Sequence, residues 1–296
     1  MTIGVLAVFL AVLLLPSDAY AWGAAGHLAI SRQIADSLLL YGPHHLASLI
    51  AKNYQAFLLG SLSPDIFSVR DWFMQPSRPL IHGWDLAHRL VRDARGEEET
   101  AYSLGYISHL ASDVICHNFF IPQYIFMCDH SLKITHLIAE TRAEGYIGSL
   151  WTSKDLKELI DSNSSLDGFF ARTAGLKPGE LERNKRVLKR ALSLKVKTGV
   201  DSLVCNLWSR SAKDINERIE RHISLSVKLS LDSVRTPFSS KSLGYCPEGI
   251  GRINLSRIRR RLFIRLKSGR HFKRQREAGK FDYIHSVPEG LIANTI

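Results

Sequence analysis

Residues 101–120 read AYSLGYISHLASDVICHNFF, an apolar stretch carrying small serines, two histidines and a single aspartate. Leu104, Ile107, Leu110, Val114 and Ile115 recur at helical spacing, and Glu97, Glu98 and Glu99 stand just ahead, where the helix dipole favours acids. This pattern predicts a buried helix over Ala101–Phe120. His109, Asp113 and His117 fall on it at i, i+4 and i+8, so three successive turns aim imidazole, carboxylate and imidazole within about 80° of one another. A carboxylate between two imidazoles suits a bridge between adjacent cations, with the outer imidazoles roughly 12 Å apart along the axis.

Further ligand-type residues flank this helix. His136 and Glu140, in THLIAE, form another i, i+4 pair on a helix expected from about Ser131 to Glu144, with apolar residues between them. Asp65 lies in Gly60-Ser61-Leu62-Ser63-Pro64-Asp65, read as a turn-rich segment following an apolar helix, and His82 lies in PLIHGW. Taken singly, Asp65 reads as a cap and His82 as a structural histidine. His88 is the alternative to His82, and His130 to His136. His44 and His45 sit beside Gly42-Pro43 in a turn. Downstream, Leu181–Leu207 and Ser211–Leu229 read as amphipathic helices with basic polar faces, and Thr236–Gly251 as a linker or long loop. The fold class is all-α, a multi-helix globular domain.

The net charge of +11 is unevenly spread. Residues 22–150 carry 9 basic and 12 acidic side chains, residues 151–240 carry 17 and 11, and residues 241–296 carry 13 and 4. An acidic, histidine-rich first half suits cations. The basic tail, with Phe263, Ile264 and Leu266 among its arginines, suits a solvated basic helix, an anionic membrane surface or a nucleic-acid backbone. Four scattered cysteines form no CxxC pair and no disulfide framework. There is no GxxxxGK[ST] phosphate loop and no Ser-His-Asp or Cys-His arrangement to suggest covalent catalysis.

Val5–Leu15 is almost wholly apolar and is followed by Ala19-Tyr20-Ala21, the form of a secretory signal peptide over residues 1–21. The run is short for a membrane anchor, although the first ten residues lack Lys and Arg. Cleavage after Ala21 would make Trp22 the first residue. Its α-amino group, with a pKa of about 7.7–8, could then chelate a metal together with its own carbonyl. His27 follows five residues on.

Trp22, His27, Asp65, His82, His109-x-x-x-Asp113-x-x-x-His117 and His136-x-x-x-Glu140, in this order, resemble the zinc-dependent phospholipase C family. That family is similar in fold and metal site to the fungal single-strand nucleases and to the N-terminal domain of glycosylphosphatidylinositol-specific phospholipase D. The resemblance spans roughly Trp22–Glu144. It implies three zinc ions: one on Trp22 and His27, one on Asp65, His82 and His109, with Asp113 bridging these two, and one on His117, His136 and Glu140. It also implies a general-base role for Asp65, and hydrolysis of a phospholipid or related phosphodiester by metal-activated water. The three-residue gap between Asp113 and His117 is shorter than in the bacterial phospholipases and nucleases and looks like the phospholipase D branch. It leaves a nuclease or nucleotidase as the alternative, alongside a non-catalytic metal-binding protein of the same fold. The expected organisation is a signal peptide over 1–21, a helical hydrolase domain over 22–235, and a linker with a basic C-terminal region over 236–296.

Overall fold

The computed structural model describes residues 22–71, 81–127, 139, 141–146, 152–198, 212–266 and 286–292. The expected signal peptide, His136 and Glu140 lie outside the described residues. Among the described residues every regular element is helical. The helices are α1 (Gly23–Tyr41), α2 (His44–Lys52), α3 (Tyr54–Asp71), α4 (Trp84–Asp93), α5 (Glu97–Ile115), α6 (Ile121–Met127) and α7 (Ser153–Ile160). They continue as α8 (Ser164–Thr173), α9 (Glu180–Thr198), α10 (Ala212–Arg235), α11 (Ile250–Leu266) and the short α12 (Glu289–Ile292). A π-helical turn, Cys116–Phe120, joins α5 to α6.

α5 is the axis of the molecule. All residues from Ala101 to Ile115 are buried, the polar Ser103, Ser108, His109, Ser112 and Asp113 among them. α1, α3, α4 and α10 pack around it. The closest approach is between α3 and α5. A Cβ on Gly60 would fall 1.9 Å from the Tyr102 carbonyl oxygen, and one on Gly105 2.0 Å from that of Phe57. Only glycine at both positions lets the two backbones touch. Phe57, Leu62, Tyr106, Leu110, Phe169 and Phe170 fill the apolar core around this crossing, and the same core reaches from Trp22 to Val234.

Two local expectations are corrected. The Gly-Ser-Pro-rich segment before Asp65 is no turn: α3 runs unbroken through it with Pro64 inside, so Asp65 sits on a helix. Its small residues serve close packing against α5, and Ser63 bonds back to the Leu59 carbonyl at 2.7 Å. The helix predicted over Ala101–Phe120 is also not α-helical throughout. Its last five residues adopt i→i+5 bonding, which widens the turn at His117 and breaks the 100° phase shared by His109 and Asp113.

Residues beyond α10 fold back over the ends of α4 and α5. The Trp84 indole donates to the Tyr245 carbonyl at 2.9 Å, and the Asn118 amide to that of Cys246 at 2.8 Å. Gly249, with φ of +57°, lies against the His117 backbone, where a Cβ would come within 2.3 Å of its carbonyl oxygen.

Gly105→Ala is expected to destabilise the protein by about 1–3 kcal/mol or more, because the methyl group meets backbone that cannot turn aside. Gly251→Ala, on α11 with no atom within 4 Å of the added carbon, is expected to be neutral or stabilising by up to about 1 kcal/mol. Denaturant melts of the two variants check this contrast; equal melting behaviour would contradict the close crossing.

Candidate metal centre

Five buried side chains from four separate segments converge beside the α3–α5 crossing. α1 supplies His27, α3 Asp65, the turn before α4 His82, and α5 both His109 and Asp113. Asp113 faces imidazoles on both of its oxygens. Oδ1 lies 3.3 Å from His27 Nε2, while Oδ2 lies 3.1 Å from His109 Nε2 and 3.9 Å from His82 Nε2. Asp65 Oδ1 is 3.9 Å from His109 Nε2 and 4.0 Å from His82 Nε2. The His27 and His109 rings stack at 3.8 Å.

Two groups in this cluster meet the spacing of cation ligands: His27, Asp65 and His109, and His82, His109 and Asp113, with ligand atoms within 4.8 Å of one another in each. Ligands around a tetrahedral zinc at 2.0–2.1 Å stand roughly 3.3 Å apart, close to the shortest contacts here. The sequence profile described as zinc dependent phospholipase C matches residues 26–179, just over half the chain. The chain belongs to the zinc-dependent phospholipase C family. No curated protein and no solved structure matches it significantly.

The donors suit the family's metal. His27 Nε2, His82 Nε2, His109 Nε2 and Asp113 Oδ1 are buried without a hydrogen-bond partner, an expensive arrangement unless a cation takes their lone pairs. For two of the imidazoles the tautomer is fixed from behind. His109 Nδ1 lies 2.8 Å from the Ser61 carbonyl, which can only accept, so Nδ1 carries a proton and, in the neutral ring, Nε2 presents its lone pair. Ser112 Oγ donates its one hydrogen to the His109 carbonyl at 2.8 Å, so at 3.0 Å it accepts from His27 Nδ1–H, again leaving Nε2 free. Mixed imidazole and carboxylate donors of this kind suit Zn²⁺.

The carboxyls are driven apart electrostatically. Burial, with Asp113 and Glu144 nearby, pushes Asp65 up to about 7 against the pull of His109. Burial also pushes Asp113 upward, but His109 and His27 together outweigh it and hold that carboxyl well below its ordinary range. His82 is pushed down to about 3 by burial and by His109, so its ring is neutral at physiological pH, as a ligand must be.

The other predicted residues stand differently. Trp22 is fully buried, its indole N–H shared between the Ser112 carbonyl at 3.3 Å and Ser226 Oγ at 3.2 Å and its ring stacked on Phe120. His117, on the π turn, is buried and lowers the His82 pKa by its proximity, but it belongs to neither ligand group. Residues that sequence reasoning missed are Ser112, the Ser61 carbonyl, and Tyr106, whose hydroxyl donates to the Ile81 carbonyl beside His82. Ser112 directly precedes Asp113 and lies one turn from His109, the one signal that could have drawn attention to it. Glu144 was also missed. Its carboxylate occupies the space a side chain on Gly23 would need.

Ser112→Ala is expected to weaken zinc binding about 10–100-fold by freeing the His27 ring, with the His27 nitrogens shifting toward the other tautomer in the metal-free NMR spectrum. Unchanged affinity and tautomer would contradict the assignment. Zinc binding at pH 6 is expected to expel a proton from Asp65, because its raised pKa leaves it largely protonated there, and at pH 8 to expel none from it. Calorimetry in buffers of different ionisation enthalpy reads this, and Asp65→Asn should lower the proton release at pH 6 by about one while leaving that at pH 8 unchanged.

Proposed function

We propose that the protein is an exported phospholipase C-like hydrolase that cleaves the phosphodiester of a phospholipid, using three zinc ions. The observation that carries this reading is the buried Asp113 carboxylate, whose two oxygens face different imidazoles, as a bridging ligand requires. His27 and the amino group of Trp22 would hold one ion, Asp65, His82 and His109 a second, and His117, His136 and Glu140 a third. Zinc bound there supplies Lewis acidity to the phosphoryl oxygens and lowers the pKa of water into the neutral range.

The chain's own groups do the rest. Asp65, facing both His109 and His82 in the cluster, is placed to accept the proton of the attacking water and to pass it to the departing alcohol. Asp113, held ionised, keeps a fixed negative charge between the imidazoles and orients them. Ser112 and the Ser61 carbonyl hold the rings in the tautomer that presents Nε2 to the site. The products are a diacylglycerol and a phosphorylated headgroup. Export is supported by the apolar run over Val5–Leu15 and the Ala19-Tyr20-Ala21 site.

Protein purified without chelator is expected to carry close to three equivalents of zinc and to hydrolyse phosphatidylcholine faster than single-stranded DNA. Asp113→Asn should abolish turnover and remove more than one equivalent, since it takes away a bridge. Full metal content in that variant would refute the bridging role. A faster rate on DNA would make the protein a nuclease, and absence of zinc would make it a non-catalytic relative. N-terminal sequencing of exported material should begin at Trp22.

A further inference from the structure

α11 (Ile250–Leu266, IGRINLSRIRRRLFIRL) carries six arginines and no acid in 17 residues. Its inner side is fastened to the segment that bears His117. Buried Ser256 donates from Oγ to the Pro122 carbonyl, and the Arg252 guanidinium lies over the Phe119 ring at 5.1 Å and the Tyr245 ring at 5.9 Å. Gly249, just ahead of the helix, touches His117 itself. The other side is open to solvent and carries three exposed aliphatic side chains around exposed Asn254. Ile250 and Ile258 fall at i and i+8 of one stripe with Leu255 beside it, and these side chains are 55%, 53% and 40% exposed. Arg259 is exposed on the same helix and Arg257 half-buried.

Exposed aliphatics on a helix whose only charges are positive can enter a lipid interface while neighbouring arginines reach along their stems to the headgroups. The aliphatic groups enter the acyl boundary while the guanidinium groups meet lipid phosphates. A second protein chain would have to supply both an apolar groove and an excess of carboxylates. A nucleic acid would use the arginines but leave Ile250, Leu255 and Ile258 in water. We infer that α11 is a docking helix for an anionic phospholipid bilayer, lying in the headgroup plane with Ile250, Leu255 and Ile258 inserted. Such docking deepens the phospholipase reading and rests on it. The helix is joined through Phe119, Pro122 and His117 to the wall of the metal centre, so a lipid surface held by α11 is held beside the site that would cleave it.

The test uses the zinc-loaded, processed chain and sucrose-filled vesicles of phosphatidylcholine alone or with 30% phosphatidylglycerol, in 0.1 M salt. Wild type is expected to sediment with the anionic vesicles and weakly or not at all with the neutral ones. The Leu255→Asp/Ile258→Asp double variant should lose about tenfold or more in vesicle affinity, and Arg257→Glu/Arg259→Glu a comparable amount at about 1 kcal/mol or more per charge. Hydrolysis of a soluble chromogenic phosphodiester should be unchanged in both. If the apolar variant melts at a lower temperature than wild type, the single variant Arg259→Glu, altered at an exposed side chain, decides. Wild type that ignores both vesicles, or variants that bind as wild type does, would overturn the inference. So would single-stranded DNA binding lost in the arginine variant without vesicle binding, or a dimer dissociated by the apolar variant. Loss of the soluble-substrate activity in wild type would refute the hydrolase reading, which vesicle binding alone does not test.

Discussion

The crossing of α3 over α5 governs the geometry of the rest. Gly60 and Gly105 remove the side chains that would otherwise hold two helices 8–10 Å apart, and the backbones meet. One turn beyond Gly105, the His109 ring therefore reaches the carbonyl of Ser61, the neighbour of Gly60. One turn beyond Ser61, Asp65 faces the same ring from α3. Helices separated by ordinary side chains would leave His109 without its backbone acceptor and Asp65 too far away to share a cation with it. The ligand cluster is a consequence of two missing Cβ atoms.

That cluster is electrostatically incomplete by itself. Two carboxyls and three imidazoles share a site from which water is nearly excluded. The protein resolves this by letting His109 and His27 stabilise the charge on Asp113 while Asp65 stays largely protonated up to about 7. A divalent cation relieves both strains, since it takes the imidazole lone pairs and favours the ionised form of Asp65. Metal binding and folding are coupled for that reason, and the metal adds stability according to its free concentration relative to its dissociation constant.

The family profile ends at residue 179, yet the wall of the centre continues well past it. Ser226 on α10 shares the Trp22 indole N–H, and Ser230 donates to the Ser108 carbonyl at 3.0 Å. Residues 236–249 cover the end of α5 and close over His117. The second half thus contributes no ligand to the two groups seen among the described residues, but it shapes the surroundings of those the first half provides.

The amino-acid sequence alone determined the helical class and the central segment, because unbroken apolar periodicity admits few alternatives to a buried helix. It also marked His27, Asp65, His82, His109 and Asp113, since i, i+4 spacing survives any packing and the order of the remaining ligand types carries the family resemblance. It misread the Gly-Ser-Pro run ahead of Asp65 as a turn, because those residues look alike whether they break a helix or allow another to press against it. It extended α-helical phase through His117, where a π turn set by neighbouring packing replaced it. The role of Ser112, marked only by its place beside Asp113, and that of the Ser61 carbonyl were set by packing in the same way. A serine hydroxyl and a backbone oxygen have no signature until a distant ring is brought to them, and contacts between residues 48 and 85 positions apart exist only once the chain has folded.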